Sequence, residues 1–148
     1  MKKTLTYMFI AVILGGICGN ILYQKYKDTS YTFLENNKIY FLQEGVYDSI
    51  DSYNRNTKDI NPKLVINDDK NYYVYVGISK SLDGIKKIKK VYDKKGYNTY
   101  QKELAVNDQL FLTNLEQYDI LLESAKTTDD ILTIEEVVLS NYEEIIKK

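Results

Sequence analysis

A chain of 148 residues, 44% of them hydrophobic and 28% charged, has a globular balance, and with its one membrane-length apolar run set aside it is long enough for one small core. A formal net charge of -1 supplies no positive field to draw it onto nucleic acid. With no histidine, and Cys18 as its only cysteine, it has no intrachain disulfide, no histidine acid–base pair and only carboxylates for metal binding. No cofactor, no metal and no enzymatic role are expected. Tyrosine is abundant, with 15 residues against four phenylalanines. Lysine, asparagine and isoleucine are also plentiful while Arg55 is the only arginine, as an AT-rich coding sequence would give, so only tyrosines that form a pattern carry weight.

The amino terminus opens with Lys2 and Lys3, then runs almost uninterrupted in apolar residues from Leu5 to Tyr23. At a helical rise this stretch covers about 28 Å, close to a bilayer core, and Tyr7 and Tyr23 fall near its ends, where amphipathic rings favour the interface. Three readings compete. A cleaved signal peptide is supported by the small residues of "GGICGN". An acylated Cys18 is disfavoured by Ile17, which occupies the position before the cysteine where a small residue is usual. The length of the run favours an uncleaved single-pass anchor, in contact with the membrane through residues 5–23. A short amino-terminal tail makes inside-to-outside the simpler topology, with the rest of the chain on the extracytoplasmic side of the cell membrane. Residues 1–23 are thus the anchor, and 24–37, polar and unpatterned, a linker.

Ordered patterning starts next, and it repeats. "YFLQEGVYDSID" (40–51) aligns with "YYVYVGISKSLD" (72–83), so that Tyr40 meets Tyr72, Gly45 meets Gly77, Ser49 meets Ser81 and Asp51 meets Asp83. Each copy is followed by a helical pattern and then a second strand-like stretch. The expected elements are β1 (39–46), α1 (49–59), β2 (63–67), β3 (72–78), α2 (81–95) and β4 (97–103). Ser49 and Ser81 are placed to cap the helices, Gly96 to end the second, and "NDDKN" to turn between β2 and β3. Two such halves predict an α+β fold, βαββαβ, with a four-stranded antiparallel sheet that has both helices on one face.

Alternation along the strands sends Leu42, Val46, Val74, Val76 and Ile78 to the helices, and Phe41, Gln43, Tyr73, Tyr75 and the two glycines to the opposite, open face. Two readings of those rings stand side by side. They form a binding platform, or they fill cross-strand pairs and are covered by the carboxy-terminal segment. The lysine run 86–95 is on α2, behind the sheet, as a solvated helix face.

The two strand motifs resemble the SPOR domain, the peptidoglycan-binding module of bacterial cell-division and sporulation proteins. "YFLQEGVY" carries the glutamine, glycine and aromatic of the family's first strand as Gln43, Gly45 and Tyr47. "YYVYVGIS" matches through Val74, Val76 and Gly77, and "KKGYNTY" through the approach to the last strand. The resemblance covers about residues 38–104. It implies a ribonucleoprotein-like fold and binding of septal glycan strands stripped of their peptides, with Phe41, Gln43, Tyr73 and Tyr75 lining the groove.

Residues 105–148 change pattern. Asn107 or Asp108 is placed to cap a helix to about Glu123, and Thr128 or Asp129 to start another. Both carry apolar stripes that must be buried on each other, on the sheet or on a partner. The pairs Asp129–Asp130 and Glu135–Glu136 are read as exposed helix positions. The expectation is therefore a membrane-anchored, non-catalytic peptidoglycan-binding protein. The alternative is a membrane-anchored scaffold that binds a protein partner through its carboxy-terminal helices.

Overall fold

The computed structural model describes residues 37–147. The expected anchor lies outside them, as does the expected linker apart from Asn37, and no helix among the described residues is long and apolar enough to cross a membrane. The elements run β1 (Lys38–Tyr47), α1 (Ile50–Thr57), β2 (Leu64–Asn67), β3 (Tyr72–Ser79), α2 (Leu82–Lys94), β4 (Tyr100–Ala105), α3 (Gln109–Ser124) and α4 (Thr128–Ile146). Local chemistry sets most of their ends. The side chains of Ser49, Ser81 and Asp108 accept from the first-turn N–H groups of α1, α2 and α3. Thr127 and Asp130 form a reciprocal capping box, and α4 starts at Thr128 as expected. Gly96 ends α2 with φ of 85°, a backbone that side chains disfavour.

The strands form one antiparallel sheet in the order β2-β3-β1-β4, giving an α+β fold with four strands and four helices. On one face α2 packs Ile85, Ile88, Val91 and Tyr92 against Leu42 and Val76. α1 joins the end of that face, where Tyr53 stacks on Tyr72. The other face is covered. Phe111, Leu112 and Leu115 of α3, with Val138 and Leu139 of α4, make a core with Ile39, Phe41, Leu64, Tyr75 and Ile78. The expectation of an open face is thus corrected. The stripes of the carboxy-terminal hairpin and the apolar side of the sheet each need burial, and each supplies it to the other.

Simple alternation also fails midway along the central strands. Leu42 pairs with Gly77 but Gln43 with Tyr75, so Val76 is an extra residue in β3; Gln43 to Gly45 against Tyr75 to Val74 makes Glu44 the extra residue in β1. These bulges shift the face on which each following side chain falls. Ile78 therefore turns to the hairpin core instead of α2, and Val46, paired with Tyr73, is 45% exposed instead of buried under a helix. Gly77, expected outward, faces α2, where a Cβ would lie 2.8 Å from Ile88 Cγ2. Gly45 is displaced likewise and is overlain by the Tyr47 ring.

Helix α2 and the hairpin are also tied by a lysine from the basic run. Lys87 Nζ donates to the carbonyls of Leu122 (2.7 Å), Glu123 (2.9 Å) and Ala125 (2.6 Å), closing the end of α3 with all three of its protons.

The bulge predicts that Gly77→Ala, which adds a methyl between α2 and β3, lowers stability by about 1–3 kcal/mol in chemical denaturation. A neutral result would contradict the face assigned to Gly77.

Candidate functional site

The structure brings Phe41, Gln43, Tyr73 and Tyr75 onto one face of the sheet, but three of them are covered. Phe41 is 0%, Tyr75 8% and Gln43 9% exposed. The Phe41 ring meets Tyr75 edge-on at 5.3 Å and Tyr142 of α4 at 5.1 Å, and Phe111 of α3 stands 5.2 Å from the same Tyr142. Burial pushes the Tyr75 and Tyr142 phenols upward from their ordinary values. Phe41 and Tyr75 are therefore filling a core. Tyr73 differs: it is half-buried at the margin of the hairpin core, together with Ile66, and pairs with exposed Val46.

At that end of the sheet, on the other face, three more tyrosines gather. Tyr47 and Tyr72 form the last pair of β1 with β3. Tyr53, from the first turn of α1, bridges them: its ring is stacked on Tyr72 at 5.7 Å and 12°, and is tilted against Tyr47 at 6.5 Å. All three are half-buried, so each keeps an accessible part. Lys63 sits over the Tyr53 ring at 5.7 Å and donates to the Thr57 carbonyl at 2.7 Å, which orients the ammonium and uses one of its three donors. Glu44, the bulge residue of β1, accepts from the Tyr47 hydroxyl at 2.9 Å. Burial raises the Glu44 carboxyl above its ordinary value, while the Tyr47 hydroxyl and the Lys63 charge pull it back. Burial and the same carboxylate hold the Tyr47 phenol well up, so it remains a neutral donor.

This rim combines aromatic surface, a fixed ammonium, a carboxylate and phenol groups. That set suits a ligand with apolar C–H faces, hydroxyls and a scattered negative charge. Among the described residues no cluster of acids with the makings of a metal site occurs. Elsewhere a concavity of about 240 Å³ is lined by Ser81, Asp83, Gly84, Lys87, Asp119, Ile120 and Glu123. Two of its polar groups are already committed: Asp119 Oδ1 accepts from Ser79 Oγ at 2.6 Å and Oδ2 from the Lys80 N–H at 2.9 Å, and Lys87 is held by its carbonyls.

The sequence pattern missed Tyr53, Lys63 and Glu135. Tyr53 lies in a short polar helix with no aromatic pattern of its own, and only the tyrosines at the paired strand ends, Tyr47 and Tyr72, mark the place. Glu135 was expected to be exposed; it is 0% exposed, and its spacing between Ile131 and Val138 on the buried side of α4 was the available signal. No family model, no curated protein and no solved structure matches this chain.

Removing the Tyr47 hydroxyl takes away a hydrogen bond that favours the ionised Glu44. Tyr47→Phe is expected to raise the Glu44 titration midpoint in side-chain carboxyl NMR; an unmoved midpoint would contradict the pairing.

Proposed function

We propose that this chain is a membrane-anchored, non-catalytic module of the SPOR type that binds peptidoglycan glycan strands and so concentrates at the septum in cell division or sporulation. The observation that carries the reading is the rim: the stacked Tyr53–Tyr72 pair, with Tyr47 and the oriented Lys63, at the end of the sheet. Sugar rings stack their C–H faces on tyrosine, and glycan freed of its peptides presents lactyl carboxylates that an ammonium can meet. The strand order β2-β3-β1-β4 supports the reading, because it is the order that two interleaved βαβ halves produce. The resemblance over residues 38–104 supports it as well. The covered sheet face moves the proposed groove away from Phe41, Gln43 and Tyr75, and leaves Tyr73, beside Val46, as the residue of the original four that keeps an accessible part, at the same end of the sheet as the rim but on the opposite face.

A second reading, a membrane-anchored scaffold for a protein partner, has one observation in its favour. Leu110, Ile120 and Leu121 of α3 are 72%, 60% and 52% exposed although Phe111, Leu112, Leu115 and Leu122 of the same helix are buried.

The test is co-sedimentation of the full chain, in detergent, with intact and with amidase-treated sacculi. The glycan reading predicts selective binding to the treated form and a loss of tenfold or more in the Tyr53→Ala, Tyr72→Ala double variant, with Tyr75→Phe unaffected. Undiminished binding by the double variant would remove the rim as the site. Failure of the wild-type chain to bind either form would remove the glycan reading and leave the scaffold, which predicts that Leu110→Asp, Leu121→Asp displaces the protein in cells.

A further inference from the structure

Beside the apolar core that docks the hairpin on the sheet lies one fully buried acid. Glu135 of α4 is fully enclosed. Its Oε2 accepts the Ile78 N–H at 2.9 Å, and its Oε1 has no hydrogen-bond partner among the described residues. The location follows from the sheet: β2 pairs with β3 only from Tyr72 to Tyr75, so beyond that point β3 needs a partner that is not a strand. A glutamine would meet that need as well as a glutamate, without a charge.

The surroundings of Glu135 do not favour a charge. From β3 it meets Gly77 and Ile78, which bring only backbone polarity. From α2 it faces Ile88, which shares the Gly77 contact, and the Tyr92 phenol, itself pushed well up by burial and by Glu135. From α3 it faces Asp119, another acid, whose carboxyl is raised by burial. Lys80 lends its charge to Asp119 and is paired with Glu116. A carboxylate enclosed with a single donor and a second acid is strongly disfavoured over its protonated form.

We propose that Glu135 is a proton-operated latch: protonated, it holds α4 against β3, and loss of its proton loosens the hairpin from the sheet. This does not depend on the glycan reading. Burial holds the Glu135 carboxyl well above the ordinary range in the docked state. The docked state therefore binds the extra proton, docking is strongest below the ordinary carboxylate range, and its advantage declines as pH rises toward the docked value. One proton sets the limiting slope, so the docking equilibrium changes by up to about tenfold per pH unit in that window.

The experiment is hydrogen exchange on the full chain in detergent across a pH series, with protection corrected for intrinsic rates. The latch predicts that protection of α3 and α4 amides falls with rising pH in wild type, by up to about tenfold per unit. It predicts no such fall in Glu135→Gln, and a fall with its midpoint shifted to lower pH in Asp119→Asn, which loses the neighbouring charge. The proposal is overturned if Glu135→Gln keeps the wild-type slope, if Asp119→Asn abolishes it, or if α2 amides lose protection in step with the hairpin.

Discussion

The contact on which the structure depends is the packing of the carboxy-terminal hairpin on the sheet, centred on Phe41 between Tyr75 and Tyr142. A four-stranded sheet with apolar residues on both faces cannot leave one of them in water. Fully burying a large apolar side chain contributes about 1.5–3 kcal/mol, and this layer encloses Ile39, Phe41, Leu112, Leu115 and Val138 together. The gain from that set is large beside the marginal stability of a small domain. The hairpin is therefore a structural layer of the fold, and the rings beneath it are packing.

The same contact decides which part of the sheet stays accessible. The hairpin covers the middle of the sheet and leaves the end at which β1 meets β3 through Tyr47 and Tyr72. The bulge at Val76 lies within the covered part and the one at Glu44 on the way to that end, and they re-aim the side chains on either side of them. Val46 emerges at the surface, Glu44 reaches the Tyr47 hydroxyl, and Ile78 is turned to the hairpin, with its N–H on Glu135. A local irregularity in two strands thus links the rim at one end with the buried acid at the other.

Much of the architecture was legible because it rests on local chemistry. The repeat located β1 and β3, serines and aspartate placed at helix starts became caps, and the paired halves gave the antiparallel sheet. The hairpin stripes were legible as surfaces in need of burial, but which surface they would meet depends on contacts far apart in sequence. The bulges left a partial signal in Gly45 and Gly77, a residue type that marks bulges or bends within strands, but Val74, Val76 and Ile78 continue an alternation that reads as an unbroken strand and hides the change of face. Glu135 and Asp119 were hidden by their residue type, although both occupy the spacing of the apolar stripes, Asp119 between Leu115 and Leu122 and Glu135 between Ile131 and Val138. Of the candidate side chains read from alternation, Phe41, Gln43 and Tyr75 share one face and the hairpin covers all three, whereas the pattern carried no sign of the Tyr53–Tyr72 stack at the rim.

The most direct measurement of this account is a NOESY spectrum of the full chain in detergent, with aromatic rings labelled. Cross-peaks from the Phe41 ring to Tyr142 and Tyr75 are predicted, since the ring centroids are 5.1 and 5.3 Å apart. Absence of Phe41–Tyr142 cross-peaks, with Phe41 and Tyr75 instead showing contacts to water, would contradict the covered face and return those rings to the surface.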